Sequence, residues 1–198
     1  HPFSVVPAAI QPGDVCTIYD LLANKKVLIL AGPSTNLEDT DAILGLSNIF
    51  HAPILGDPLS NMRRVYDERV ITSYDALLSQ EVYRDTLRPD CILQIGQMVV
   101  SKRVQQWVAS MQHIPIISVS PTMDYTNPAG NTTLFVQSTP QGLVDALNME
   151  ISELHVMANE VHAEVADEEF NTADNGYLAT WIDADGVGRK QLDTVARE

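Results

Sequence analysis

The sequence predicts an α/β fold, with a parallel sheet of five or six strands covered by helices on both faces and a helical C-terminal segment. Three observations predict it. From residue 26 onward, short β-branched apolar runs alternate with segments of helical pattern, the signature of parallel strands joined by crossover helices. These runs are continuously apolar rather than alternating, as in strands buried on both faces. The chain has 198 residues, 45% of them hydrophobic, enough for one domain with a real core and no need of a second.

Residues 1–25 are rich in Pro and Gly at first and helical in pattern near 17–22, and they read as an N-terminal linker. Strands follow at 26–31, 52–56, 91–96, 114–119 and 132–137. Between them, helices are expected at 37–50, 73–87 and 101–111. Asn36 is the expected cap of the first, with Glu38, Asp39 and Asp41 carrying the sign its first turn favours. Arg88-Pro89-Asp90 ends the second, because Pro disfavours helical geometry in the residue before it. Residues 120–131 are turn-rich and carry no crossover helix, so the last two strands need not form a standard βαβ unit. Thr139 as N-cap and Pro140 at the first position then open a helix from 141 to about 154. Beyond it the chain is acidic and weakly amphipathic, breaks at 171–176, and becomes helical again from 177, interrupted by Gly186 and Gly188. The expected division is a linker at 1–25, an α/β middle domain at 26–154 and an acidic helical tail or linker at 155–198.

The net charge of −14 is concentrated in residues 139–198, where 13 acids face 3 bases. Such acidity argues against general nucleic-acid binding, which needs a basic footprint. No run approaches the length of a membrane span, so no membrane partner is expected. Two cysteines, Cys16 and Cys91, do not make a disulfide framework, and a cytoplasmic location is expected. The chain starts at His1 rather than Met, as an excised piece would, and without the charged-then-apolar order of a signal peptide.

Against this acidity, five of the twelve bases fall in two segments: Arg63, Arg64 and Arg69 after the second strand, and Lys102 and Arg103 after the third. Both segments belong at the carboxyl ends of strands, where open α/β sheets gather ligands. Ser101-Lys102-Arg103 opens a helix, and a helix N-terminus already carries positive partial charge. Two further cations there have the wrong sign unless an anion joins them, so the turn suits a carboxylate or phosphate. Ser101 is placed as N-cap or direct donor. For Arg63 and Arg64 a second anion site and pairing with surface acids weigh about equally.

Other chemistry finds little support. Gly32 is the lone glycine of the turn after the first strand, where a dinucleotide fingerprint needs three. His155 and His162 lie seven apart, without the i, i+4 spacing of a metal pair. Asp57 and Asp90 read as turn and cap residues, and Trp107 as core. The residues alone fit a binding or scaffolding domain better than a complete enzyme, with no catalytic, cofactor-binding or metal-binding residue of its own.

Four segments, in order and spacing, carry a resemblance: Gly56-Asp57-Pro58-Leu59-Ser60, Tyr74-Asp75-Ala76-Leu77-Leu78, Leu87-Arg88-Pro89-Asp90, and Gly96 followed by Ser101-Lys102-Arg103-Val104-Gln105-Gln106-Trp107. They resemble the central domain of the 2-succinyl-5-enolpyruvyl-6-hydroxy-3-cyclohexene-1-carboxylate synthase family, thiamine-diphosphate transferases of menaquinone biosynthesis. The resemblance covers residues 20–140 well and the flanks by position only. It implies a Rossmann-like middle domain, without an established redox dinucleotide, between a pyrimidine-binding and a diphosphate-binding domain. It implies an oligomeric parent that decarboxylates 2-oxoglutarate and adds the product to isochorismate, with thiamine diphosphate and magnesium held between the outer domains. Neither the Gly-Asp-Gly…Asn motif for metal and diphosphate nor the pyrimidine-domain glutamate is present in this sequence, and the chain alone is expected to be inactive. Carried over by position, Lys102 and Arg103 match the basic pair by which the middle domain reaches the substrate cleft. Two alternatives stay open: a stand-alone regulatory module that binds a small acid, and the middle domain of a different thiamine-diphosphate enzyme.

Overall fold

A computed structural model describes residues 10–33, 39–122, 130–161 and 176–195. Six strands form a single parallel sheet: β1 Val27–Ala31, β2 Ile54–Gly56, β3 Val70–Ile71, β4 Cys91–Ile95, β5 Ile116–Ser120 and β6 Leu134–Gln137. Their order is β3-β2-β1-β4-β5-β6, the doubly wound arrangement in which chain direction across the sheet reverses between β1 and β4. Register is tight at that junction, with Val27 opposite Cys91 and Ala31 opposite Ile95.

Seven helices are described: α1 Pro12–Leu22, α2 Asp39–Phe50, α3 Tyr74–Leu77, α4 Glu81–Thr86, α5 Lys102–Ser110, α6 Pro140–Val161 and α7 Tyr177–Val195. The sheet separates two cores, as alternate residues of a strand must point to opposite faces. On one face Ile29, Leu93 and Ile117 meet Ile18 and Leu22 of α1, Leu46 and Phe50 of α2, and Leu143 and Leu147 of α6. On the other, Leu28, Leu30, Ile92 and Ile116 meet Tyr74 and Leu77 of α3, Trp107 and Val108 of α5, and Trp181 of α7. Trp107 and Trp181 pack edge to face at 6.3 Å, a favoured aromatic geometry.

The five expected strands are all present, and the sixth, β3, lies in a stretch that reads as irregular. Two residues are too few to show a period, and β3 exists because it pairs with β2 at Ile54 and Leu55. The expected helix over 73–87 is instead two short ones. The Ser79 hydroxyl donates to the Ala76 carbonyl at 2.6 Å and Gln80 N–H donates to the Leu77 carbonyl, so the chain turns rather than continuing the helical ladder. β6 pairs in parallel with β5, and the described part of the connection, 121–122 and 130–133, carries no helix. Thr139 caps α6 as expected, its Oγ1 accepting from Gly142 N–H at 3.0 Å, while the expected Asn36 cap lies outside the described residues.

Packing extends to both flanks of the span expected as the domain. α1 falls in the supposed linker, yet Ile18 and Leu22 are fully buried. α7 falls in the supposed tail, yet Trp181 is among the largest fully buried side chains. α7 also runs through Gly186 and Gly188 without a break. At Gly188 a Cβ would lie 2.4 Å from Ser73 Oγ, so this glycine lets α7 lie against the start of α3. No helix among the described residues is long and apolar enough to cross a membrane.

Candidate functional site

The carboxyl ends of β1, β2 and β4 are tied together by backbone and by one buried acid. Gly32, after β1, donates to the Ile95 carbonyl at 3.1 Å, and a Cβ on it would lie 1.6 Å from the Gln97 carbonyl oxygen. The lone glycine therefore serves a close approach of two backbones. Asp57, after β2, is fully buried, and its N–H donates to Ala31 of β1. Its carboxylate accepts from Leu59 N–H at 2.8 Å and from Val100 N–H at 2.7 Å. The second of these bonds fixes the residue immediately before Ser101.

Ser101 caps α5, accepting from Val104 N–H at 3.2 Å. Its hydroxyl proton goes to Asp75 Oδ1 at 2.6 Å. Arg103 Nη1 donates to the Asp75 main-chain carbonyl at 2.6 Å and lies 3.9 Å from Asp75 Oδ1. The negative charge that the basic turn calls for is thus supplied in part by the chain itself. Lys102 is exposed and makes no ion pair among the described residues.

The first turn of α3 also holds the other basic segment. Arg63 Nε donates to the Gly56 carbonyl at 3.1 Å and Nη2 to Thr72 at 3.4 Å, while the guanidinium lies 5.6 Å over the Tyr74 ring. Burial pushes the Tyr74 phenol above its ordinary range, and Arg63 works against that shift. Arg64 is exposed without an ion pair among the described residues. Arg69, the fifth of these bases, is held by Asp67 through two bonds of 2.8 and 2.6 Å, and its hydrogen bonds lower the Asp67 carboxyl. Adjacent residues, Tyr74 and Asp75, therefore bring Arg63 and Arg103 to one edge of the sheet. Four of the five bases are exposed, and of these Lys102 and Arg64 make no ion pair among the described residues.

α3 is itself held from far along the chain. Asp185 of α7, only 3% exposed, accepts from Thr72 N–H at 3.1 Å, Ser73 N–H at 2.8 Å and Ser73 Oγ at 2.7 Å. Arg189, one turn on, pairs with its other oxygen at 2.5 Å. This acid fixes the backbone that leads into a four-residue helix, bonding the N–H of its cap residue and of the residue before it rather than the helix's own N–H groups.

Asp75 and Asp185 were not legible as parts of the site. Asp75 has the sign that suits any first helical turn, and nothing local distinguishes Asp185 from the other acids of the tail. Asp57, which reads as a turn residue, bonds its own turn at Leu59 and also reaches the loop before α5. Asp90, also read as a turn or cap residue, instead reaches the residue before β1, its Oδ2 accepting from Lys26 N–H at 3.0 Å.

Thiamine diphosphate needs a divalent cation held by oxygen donors. Among the described residues no cluster could hold a metal ion. The two buried acids, Asp57 and Asp185, are spent on backbone N–H groups. The described residues do not fit that cofactor.

A family model described as the middle domain of thiamine pyrophosphate matches residues 15–175, from α1 to just before α7. Curated relatives bear the name 2-succinyl-5-enolpyruvyl-6-hydroxy-3-cyclohexene-1-carboxylate synthase. That of Lactococcus lactis subsp. lactis (strain IL1403) is 37% identical over 179 residues, covering 90% of this chain and 28% of the relative. That of Lactococcus lactis subsp. cremoris (strain SK11) is 35% identical with the same coverage. The Oceanobacillus iheyensis protein is 28% identical over 171 residues, 85% of this chain and 27% of its own. The chain thus spans little more than a quarter of these relatives. With more than three-quarters of its residues inside the match and the sheet order described above, the chain belongs to the middle-domain family of thiamine pyrophosphate enzymes.

Proposed function

We propose that this chain is the middle domain of a thiamine-diphosphate-dependent synthase of menaquinone biosynthesis that adds decarboxylated 2-oxoglutarate to isochorismate. In that enzyme the domain supplies contacts to substrate carboxylates through Ser101, Lys102 and Arg103, and it scaffolds the outer domains of a homo-oligomer. The observation that carries this reading is the similarity to synthases of that name over 90% of the chain. Thiamine diphosphate and magnesium would be held by the outer domains, and the described acids of the middle domain do not fit them.

The physical case for the anion contacts rests on three groups at one place. Lys102 offers an exposed ammonium as a point charge. Arg103 engages one nitrogen with Asp75, leaving Nε and Nη2 to take a carboxylate edge-on. The N-terminus of α5 adds its own partial positive charge. Isochorismate is a dianion and the succinyl product adds a third carboxylate, so the charges are complementary.

Lys102→Ala and Arg103→Ala, each made in the full-length synthase, test the assignment. Each is expected to raise the isochorismate KM or lower kcat by roughly tenfold, as for loss of a charge-assisted hydrogen bond. Kinetics unchanged in both would reassign the pair to structure. Turnover by the 198-residue chain itself, supplied with thiamine diphosphate, magnesium and both substrates, would sink the division of labour between domains.

A further inference from the structure

The position at the start of α5 that suits a ligand carboxylate is already approached by a carboxylate of the chain. Asp75 Oδ1 takes the Ser101 hydroxyl proton at 2.6 Å and stands 3.9 Å from Arg103. Its side chain is 58% exposed, so it is not fixed by burial. Its backbone is fixed: Asp185 holds Thr72 and Ser73 just ahead of it, and its own carbonyl takes Arg103 Nη1. Arg103 would thus keep its place through the main chain even if the Asp75 side chain swung away.

We propose that Asp75 is a specificity-determining residue of the anion site, an internal competitor whose carboxylate a ligand must displace from Ser101 and whose charge offsets that of Arg103. This rests on the reading of Ser101, Lys102 and Arg103 as that site. Asp75 cancels one of the two cations while it stays in place. A second ligand carboxylate, reaching Lys102, recovers what displacing Asp75 costs, so dianions are favoured over monoanions of the same size.

The substitution Asp75→Asn separates charge from geometry. An Asn side-chain oxygen still accepts from Ser101, and the main-chain carbonyl still holds Arg103. The experiment titrates the 198-residue chain and its variants with succinate at low ionic strength, following the amide shifts of residues 101–104. Asp75→Asn is expected to bind succinate roughly three- to fivefold more tightly than the wild type, the scale of an exposed ion pair. The gain should shrink as salt screens it, and Asp75→Glu should keep wild-type affinity. Equal or weaker binding by Asp75→Asn, with wild-type binding that Lys102→Ala abolishes, would overturn the competitor role and leave the anion site standing. Wild-type binding that Lys102→Ala leaves intact, or no binding by any form, would remove the anion site and the competitor role with it.

Discussion

Cys91 and Tyr177, in the cores on opposite faces of the sheet, both bear on alkaline stability, although neither touches the basic edge. Burial pushes the Cys91 thiol from its ordinary 9.0 up to about 12, and burial likewise raises the Tyr177 phenol, which donates to the Leu87 carbonyl at 2.8 Å. An unfolded chain releases the thiol proton first, so between pH 9 and about 12 the folded state binds more protons. The stability tied to Cys91 is thus complete below pH 9 and is lost as pH rises toward 12. Urea midpoints measured from pH 8 to 11 should fall, and Cys91→Ala should fall less steeply. Asp185 makes the sharper residue-scale case. Removing its carboxylate strands two backbone N–H groups, one hydroxyl and the Arg189 charge, and Asp185→Ala is expected to cost roughly 2–4 kcal/mol in denaturant unfolding. A loss below about 0.5 kcal/mol would mean water replaces the carboxylate there, at the level of an ordinary surface change.

Among elements, α7 gives the most pointed comparison, because two glycines two residues apart serve opposite needs. A Cβ at Gly188 would meet Ser73 Oγ at 2.4 Å and Leu77 Cδ2 at 3.2 Å, whereas nothing lies within 4 Å of one at Gly186. Gly188→Ala should therefore destabilise the protein by roughly 1–3 kcal/mol through overpacking. Gly186→Ala should stabilise it by roughly 0.5–1 kcal/mol, the ordinary helical preference for Ala. Thermal melts of the two variants should move in opposite directions. The same pair shows where sequence reasoning stops. Both glycines read as interruptions, because a local pattern records the entropy they add and not the neighbour one of them admits. Five strands were legible because Val-Leu-Ile runs bounded by turns carry their own signal, and the Ser101 cap because its pattern is local. β3, the break between α3 and α4, and the Asp75 and Asp185 contacts depend on partners elsewhere in the chain. Periodicity within a window of a dozen residues does not contain them.

For the molecule as a whole, the two cores make unequal demands on the ends of the chain. α1 completes one face and α7 the other, so a chain cut to the span the strands suggest, 26–154, would expose Leu28 and Ile92 on one face and Ile29 and Leu93 on the other. Removing residues 177–198 alone is expected to abolish cooperative unfolding, since Trp107 then loses its edge-to-face partner and α3 its distant acid. A single sharp transition in calorimetry of that truncation would refute this. The charge pattern has a whole-molecule logic as well: an acidic surface around a small basic edge steers anions toward the place where cations and the α5 N-terminus coincide. The bond from Asp185 to Ser73 spans 112 residues of sequence. On a ribosome the sheet and α5 would therefore be synthesised, and free to collapse, well before the acid that seats α3 leaves the exit tunnel. The nascent chain would carry its basic edge without that anchor for about 80 residues of synthesis after Arg103, and that edge would be the last part of the domain to mature.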